Sequence, residues 1–298
     1  MAEAALIPFD DRDGYIWLDG ELVPWRDAKL HMLTHGLHYA SAVFEGERCY
    51  SGTIYACREH SDRLINSGKI LGFDVPFTAE ELDKAKYDTL KANNLTEAYV
   101  RPIAWRGTEM MGVSAQMNKI HVSIAVWEWP SYFSPEALMK GIRMKTGPWQ
   151  RPPPTSAPVH SKATGLYMIC TLSKHWAEEN KLDDALMLDW RGFVSEGTGA
   201  NIFMNIDGKL HTPTPDCFLN GITRQSVIAL AQKHQIEVVE RHIPYDELAQ
   251  ATELFVTGTA AEITPVGEID DFKFTVGSMT KTLMDSYSSM VRSGGSIL

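Results

Sequence analysis

The segment Gly192–Phe203 reads GFVSEGTGANIF and places one acidic residue, Glu196, inside a run of apolar and small residues. Its flanks are rich in strand formers, which makes Glu196 oddly placed for a surface charge. An ordinary loop glutamate is the alternative when the residue is considered alone. Gly197 and Gly199 invite comparison with the dinucleotide-binding fingerprint, but that fingerprint fails because position 202 is Ile rather than Gly or Ala.

Upstream, Lys162 stands in the pentapeptide Ser161–Gly165 (SKATG), immediately before residues 163–180, which are predicted to form a helix. Lysine is favoured near the C-terminus of a helix, because the helix dipole opposes positive charge at the N-terminus. This placement, together with partial burial, favours the neutral and nucleophilic amine. Position alone leaves a solvated lysine as the alternative.

Two downstream segments can bind an anion through backbone N–H groups. Gly221–Arg224 (GITR) opens a predicted helix, where free amides and the helix dipole attract negative charge. Thr257–Glu262 (TGTAAE) follows a predicted strand and combines hydroxyls with small residues that permit close approach of the backbone. Arg58 can add a charge-assisted hydrogen bond to the same anion. Each feature is also compatible with an ordinary cap, turn or surface charge.

Composition excludes several classes of protein. The 28 basic and 38 acidic residues give a net charge of −10, which argues against a nucleic-acid partner. No apolar run is long enough to span a membrane, and the N-terminus lacks the features of a signal peptide. The four cysteines are scattered without a C-x-x-C pair, so no metal site is expected. We expect a cytoplasmic protein.

The length of 298 residues predicts about two domains. We predict a small N-terminal α+β domain over residues 1–137, an interdomain connection over 138–147 and a larger C-terminal α+β domain over 148–298 that carries Lys162. Five prolines within residues 148–158 indicate an ordered connection near this boundary.

Local signals predict individual elements. Asp19–Gly20 centres a hairpin over Tyr15–Trp25, and Thr78 with Glu81 forms a capping box that opens a helix. Further strands are predicted at 120–129, 185–189, 201–206, 209–212 and 253–257, and a helix is predicted after Thr223.

From Thr34 to Gly267 these features occur in an order that resembles the branched-chain aminotransferases of the fold-type IV family, which use pyridoxal 5′-phosphate (PLP). The most specific strings are SEGTG at 195–199 and GTAAEITP at 258–265. Other similar segments are SAVFEGER (41–48), REH (58–60), YVRP (99–102), MGV (111–113), SKA (161–163) and GITR (221–224). The resemblance implies a two-domain α+β enzyme of the D-amino-acid and branched-chain aminotransferase type.

The resemblance implies a role for each residue of the cofactor site. Lys162 would form the Schiff base with PLP and shuttle a proton between the substrate Cα and the cofactor. Glu196 would pair with the pyridine nitrogen, and Tyr167 with the phenolic oxygen of the ring. The residues expected to hold the phosphate are Arg58, Ile222, Thr223 and Thr259.

It also implies the substrates: L-leucine, L-isoleucine or L-valine as donor and 2-oxoglutarate as acceptor, in a ping-pong cycle. Tyr99 and Arg101, with Tyr39, would receive the second carboxylate of 2-oxoglutarate. The substrate α-carboxylate would meet the backbone amides of Ala260 and Ala261. The remaining expected pocket residues are Phe44, Trp129 and Tyr132 at the apolar wall and Arg48 at the entrance.

In the family, residues at the positions of Tyr39 and Val113 reach in from a neighbouring subunit, so the resemblance implies a homodimer or a higher homo-oligomer. Trp105, Arg106 and Glu128 are departures from the expected pattern and leave aromatic or amine donors open.

Alternatives within the same fold are a D-amino-acid aminotransferase, an (R)-amine transaminase and an aminodeoxychorismate lyase. Tyr99 and Arg101 favour the branched-chain assignment. A hydrolase built on Cys57 and His60, or on Cys49, would be a different class, but nothing supplies a nucleophile elbow or an orienting third group. A non-enzymatic binding protein has little use for a lysine and an acid placed in this way.

Overall fold

The computed structural model describes residues 7–129 and 139–298. The chain divides into two compact units, Met1–Trp129 and Pro130–Leu298. Each unit combines helices with a β-sheet, as the predicted α+β class requires. Among the helices of the described residues, none has both the length and the apolar character that crossing a membrane requires.

The first unit is a sheet covered by helices. Its described residues form β1 (Tyr15–Leu18), β2 (Glu21–Pro24), α1 (His35–Tyr39), β3 (Ala42–Phe44), β4 (Glu47–Tyr50), β5 (Thr53–Ile54), α2 (Cys57–Ile70), α3 (Ala79–Ala92), β6 (Ala98–Arg106) and β7 (Ile120–Trp127). The strand order is β2-β1-β7-β6-β4-β5, and β3 also pairs with β6. The core between α2, α3 and the sheet includes Leu64, Leu82, Val100 and Ile124.

Both local predictions for this unit are confirmed. The hairpin of β1 and β2 turns at Asp19 and Gly20, whose φ angles of 50° and 107° are the positive values that a tight two-residue turn needs. Thr78 caps α3, and the reciprocal hydrogen bonds of a capping box join it to Glu81.

A buried ion pair joins α3 to β4. The Lys86 Nζ lies 2.9 Å from the Glu47 Oε1 atom, and neither side chain is exposed to solvent. Lys86 also donates hydrogen bonds to the Ser61 hydroxyl (2.7 Å) and to the Cys57 carbonyl (3.2 Å). Burial raises the pKa of Glu47 to about 7, although the charge of Lys86 acts to lower it.

Replacing Lys86 with methionine is expected to lower the free energy of unfolding by about 3–5 kcal/mol, because it leaves a buried carboxylate without its cation. The pKa of Glu47 already lies above its ordinary value of 4.5 and should rise further in this variant. The folded state then binds more protons than the unfolded state, so stability falls as pH rises through this range. Urea unfolding should therefore show a larger loss at about pH 8 than at about pH 5.

The double variant Glu47→Leu with Lys86→Met is the matched control and should recover most of the lost stability. An equal loss at both pH values, or a double variant no more stable than the single one, would contradict this account of the pair.

The second unit holds the larger sheet. Its described residues form β8 (Ile142–Thr146), α4 (Tyr167–Glu179), β9 (Asp184–Leu188), β10 (Phe193–Glu196), β11 (Asn201–Ile206), β12 (Lys209–Pro213), α5 (Ile222–Lys233), β13 (Val238–Arg241), β14 (Ile243–Pro244), β15 (Glu253–Gly258), β16 (Glu262–Ile269), β17 (Phe272–Lys273) and α6 (Ser278–Arg292).

Six strands of this sheet close into a ring. Along the sheet β11, β15, β16, β8, β9 and β10 are neighbours in that order, and β10 pairs back onto β11. The core of the unit is apolar and includes Met144, Leu186, Ile202 and Val256, none of them more than 2% exposed. The closed ring of strands fixes the ends of β10, β11 and β15, and the candidate active site begins at these ends.

The structure differs from the sequence prediction at the start of this unit. The predicted connection over 138–147 contains β8, which pairs in parallel with both β9 and β16. Its side chains alternate, with Ile142 and Met144 buried and Arg143 and Lys145 exposed, which is the pattern of a strand with one buried face. The predicted helix over 163–180 also begins later, because Thr164–Leu166 forms a 3-10 turn before α4.

Candidate active site

The β10–β11 hairpin carries Glu196. Glu196, the last residue of β10, pairs in register with Asn201, the first residue of β11, and the four residues between them form the turn. The register of β10 against β9 shifts between Val194 and Glu196. Such an irregularity redirects the side chains that follow it, so the hairpin turns Glu196 to its partners.

The Glu196 carboxylate has a partner on each oxygen. The Arg151 Nε lies 3.3 Å from Oε1, and the Asn201 Nδ2 donates to Oε2 at 3.0 Å. Burial raises the pKa of Glu196 to about 7, while the charges of Arg151 and Lys162 act to lower it. At neutral pH the carboxyl is therefore close to its midpoint, and a further cationic group would hold it ionised.

Lys162 lies in the same unit, just before the 3-10 turn that leads into α4. Its Nζ donates a hydrogen bond to the Tyr167 hydroxyl at 2.8 Å and lies 5.2 Å from the centre of that ring. The Lys162 charge also acts on Glu196. An amine, a phenol and a largely buried acid thus belong to one local arrangement.

Two backbone segments of the second unit can receive anions. Gly221 begins α5 without a side-chain cap, so the first amides of the helix, including those of Ile222 and Thr223, have no capping side chain. Thr259, Ala260 and Ala261 form the tight turn between β15 and β16. The Thr257 hydroxyl is buried and has no hydrogen-bond partner among the described residues. An unsatisfied buried hydroxyl is unfavourable, so Thr257 offers a donor to an anion bound at the end of β15.

Arg58 lies in the first unit, at the second residue of α2. It forms ion pairs with Glu80 and with Asp83, where the Nε–Oδ2 distance is 2.9 Å. Ser61 donates to Asp83 as well, at 2.5 Å. The expected phosphate contact of Arg58 stays a prediction, since these carboxylates are the partners that the structure gives it.

Four of the expected substrate residues form a cluster in the first unit. Arg101 donates from Nη2 to the Tyr99 hydroxyl at 3.0 Å, and its Cζ lies 4.8 Å from the centre of the Phe44 ring. The Tyr99 and Trp129 ring centres are 4.9 Å apart. The Arg101 Nε is buried and makes no hydrogen bond within the described residues. The cluster thus offers an unused charged donor beside an aromatic wall.

Arg48 pairs in register with Tyr99 across β4 and β6, and its Cζ lies 5.0 Å from the centre of the Tyr50 ring. Position 46 has room only for glycine, because a Cβ at Gly46 would lie 2.0 Å from the Tyr99 hydroxyl oxygen. Tyr132 lies outside the described residues.

Tyr39 and Val113 are the most exposed of the expected residues, at 46% and 85%. His35 joins the two segments that carry them: its ring stacks on Tyr39 at 4.6 Å, and its Nε2 lies 3.0 Å from the Gly112 carbonyl oxygen. His35 is buried, and its Nδ1 lies 2.9 Å from the Ser41 hydroxyl. The contacts of His35 therefore hold together the two chain segments that carry the exposed Tyr39 and Val113 side chains.

Arg151, Asn201 and His35 were not predicted from the sequence as site residues. Arg151 stands between Gln150 and a run of three prolines, and a single charge in such an apolar, rigid segment is a signal for a buried partner. Asn201 and His35 carry no comparable signal, because each acts through contacts that only the folded chain creates.

Comparison with known proteins shows the family to which this chain belongs. The family described as amino-transferase class IV matches residues 42–269. The branched-chain-amino-acid aminotransferase of Pseudomonas aeruginosa is 42% identical over 288 residues, which are 94% of each chain.

Two solved structures have the same fold. The T.th. branched-chain amino acid aminotransferase complexed with N-(5′-phosphopyridoxyl)-L-glutamate has a TM-score of 0.90 and 37% identity, and the match covers 95% of each chain. The branched-chain aminotransferase from Thermoproteus uzoniensis with norvaline has a TM-score of 0.91 and 37% identity over 95% of this chain and 96% of that one.

Proposed function

The chain belongs to the class IV aminotransferase family and has the fold-type IV architecture, and on that premise we propose that it is a branched-chain-amino-acid aminotransferase. It transfers the amino group of L-leucine, L-isoleucine or L-valine to 2-oxoglutarate and gives L-glutamate and a branched-chain 2-oxo acid. The observation that carries this proposal is the arrangement of Lys162 against Tyr167 beside the buried Glu196.

PLP is the cofactor of this enzyme, in keeping with the phosphopyridoxyl compound in the T.th. structure. When bound, it supplies an electron sink that makes the α-hydrogen of the amino acid acidic. We propose that the Lys162 amine would accept this proton from the substrate Cα as a general base and then donate it to the cofactor as a general acid. The Tyr167 hydroxyl orients the amine, as their 2.8 Å hydrogen bond suggests.

Glu196 holds a proton on the pyridine nitrogen. Burial raises the pKa of Glu196 to about 7 even with the charge of Arg151 beside it, so a further cationic partner would be needed to hold the carboxyl fully ionised. The hydrogen bond from Asn201 favours the same ionised form. When the cofactor is bound, its protonated pyridine nitrogen would be the cationic partner of Glu196. Glu196 is thus a group that keeps the cofactor electron-poor throughout the cycle.

The other site residues bind the phosphate, the carboxylates and the side chain of the substrate. Ile222, Thr223, Thr259 and Arg58 bind the phosphate, and the amides of Ala260 and Ala261 bind the α-carboxylate. Phe44 and Trp129 face the branched side chain together with the ring of Tyr99, and Arg48 lies near the entrance. The Tyr99 hydroxyl and Tyr39 contribute to the site for the second carboxylate. Arg101 binds the second carboxylate of 2-oxoglutarate, and its unused Nε supports this assignment.

We also propose a homodimer or a higher homo-oligomer, in which Tyr39 and Val113 act in the neighbouring subunit. Exposed apolar side chains crowd the segments around both residues, which supports a protein interface there. These side chains are Leu30, Met32, Leu33, Leu37, Met110 and Met117. We further propose a cytoplasmic location, as expected from the sequence.

A donor panel tests the function. Purified protein with PLP should transfer the amino group of L-leucine to 2-oxoglutarate. Turnover of D-alanine or an (R)-amine should be at least about a hundredfold slower, since the opposite configuration directs the Cα hydrogen away from the lysine. Production of L-glutamate is the measurement. Turnover of D-alanine or an (R)-amine without turnover of L-leucine would replace this proposal with the alternatives of the same fold.

A further inference from the structure

Asn201 contacts two parts of the candidate site that have different tasks. It stands opposite Glu196 in the β10–β11 hairpin, so the register itself brings its side chain to the carboxylate. On its other side it meets the segment 219–221, which leads into the uncapped start of α5. The side chain therefore lies between the acid for the pyridine nitrogen and the donors for the phosphate.

The Asn201 amide uses both of its donor hydrogens and its acceptor. Its Nδ2 donates to Glu196 Oε2 and to the Leu219 carbonyl, each at 3.0 Å, and its Oδ1 accepts from the Gly221 amide at 3.1 Å. The residue is only 6% exposed, so these bonds form away from bulk water. An amide is the side chain that offers two donors and an acceptor at this length.

Gly221 allows the Asn201 side chain to lie close to the start of α5. A Cβ at residue 221 would lie 2.3 Å from the Asn201 Oδ1 atom, far inside van der Waals contact. The φ of Gly221 is −60°, which any residue can adopt, so glycine is needed here for space and not for its backbone angle. The close contact between Asn201 and the start of α5 thus depends on both residues.

We propose that Asn201 is a positioning residue that fixes the spacing between the Glu196 carboxylate and the anion-binding start of α5. This inference rests on the proposed function. PLP carries its pyridine nitrogen in the ring and its phosphate on a short arm from the same ring, so the distance between the two groups is limited and both contacts form together only if the protein holds a matching spacing. Rigid spacing converts two weak contacts into one strong one, because the second contact forms at no further cost in orientation.

The test compares three ligands on the cofactor-free protein: PLP, pyridoxal, which lacks the phosphate, and inorganic phosphate. Asn201→Ala should weaken binding of PLP by about 10- to 100-fold, because the two ends no longer bind in concert. Binding of pyridoxal and of inorganic phosphate should each change by less than about threefold, since each end still binds by itself. Quenching of tryptophan fluorescence and equilibrium dialysis measure the three dissociation constants.

Asn205→Ala is the matched control, because Asn205 lies on the same strand and its side chain hydrogen-bonds to Glu253 and Gly208, away from the site. It should bind all three ligands as the unchanged protein does. Asn201→Asp, of the same size, is the second variant if alanine prevents folding, and it should weaken PLP by at least as much because it opposes Glu196 with a second carboxylate.

The outcomes separate the two proposals. Unchanged protein that does not bind PLP at all contradicts the proposed function. Unchanged protein that binds PLP, with an Asn201→Ala variant that binds it equally well or that loses all three ligands to the same degree, overturns the role of Asn201.

Discussion

Replacing Lys162 with alanine is expected to lower amino transfer from L-leucine to 2-oxoglutarate by about a thousandfold or more, the loss of a general acid–base group acting at the reacting carbon. The variant should keep its fold, because Lys162 is not part of either hydrophobic core. Added methylamine should restore part of the activity, since a small amine can occupy the space of the missing side chain and accept the same proton.

A chemical readout accompanies the rate. Borohydride reduces a C=N bond between a lysine and the cofactor, so treated protein should carry a phosphopyridoxyl group on the peptide that contains Lys162, and the alanine variant should not. Lys209→Ala is the control: Lys209 is exposed and contacts Glu237 at 2.8 Å, so its loss should change the rate by less than about twofold. Full activity of the Lys162 variant, or labelling of another lysine in the unchanged protein, would refute the assignment.

The features that the sequence predicted well depend on short stretches of chain. The hairpin around Asp19–Gly20 and the capping box of Thr78 and Glu81 are confirmed because residues a few positions apart determine them. The strand beginning at Asn201 is also confirmed to the residue. A run of strand formers between glycines restricts the backbone locally, whatever packs against it later.

At the predicted connection over 138–147, the strong signal of the nearby prolines outweighed the weaker signal of the short strand β8. The prolines of 148–158 favoured a connection next to them in the sequence. The structure instead places β8 there, which ends at Thr146, just before the first of these prolines. β8 has only five residues, and its alternation of apolar and basic side chains is a signal of strand structure. Its place between β16 and β9 follows from pairing with residues that lie 40 to 125 positions away, which no local pattern encodes.

The polar partners of Glu196 could not be predicted for the same reason. Arg151 precedes Glu196 by 45 residues, and Asn201 meets Gly221 across 20 residues. The sequence singled out the acid because a carboxylate among strand formers is unusual, whereas an arginine or an asparagine acquires its meaning only from what it touches. Candidate residues are therefore easier to find in a sequence than the residues that orient them.

Replacing Arg101 with leucine is expected to separate the two half-reactions. Only the acceptor half-reaction involves a second carboxylate, so kcat/KM for 2-oxoglutarate should fall by about 30- to 3000-fold, the range that 2–5 kcal/mol for a buried charge pair gives. The half-reaction with L-leucine should change by less than about fivefold, because Phe44, Tyr99 and Trp129 keep the aromatic wall. Single-turnover absorbance measurements follow each half-reaction separately.

The conservative variant Arg101→Lys makes the test specific for geometry. Lysine keeps the charge but not the planar fork of donors, and it cannot both contact the Tyr99 hydroxyl and present a second N–H group in the same plane. Its activity with 2-oxoglutarate should therefore lie between those of the leucine variant and the unchanged protein. An equal loss with L-leucine and 2-oxoglutarate would instead assign Arg101 to the α-carboxylate that both substrates share. No loss with either would place the acceptor carboxylate elsewhere, and the branched-chain specificity would then rest on the aromatic wall without a charged partner.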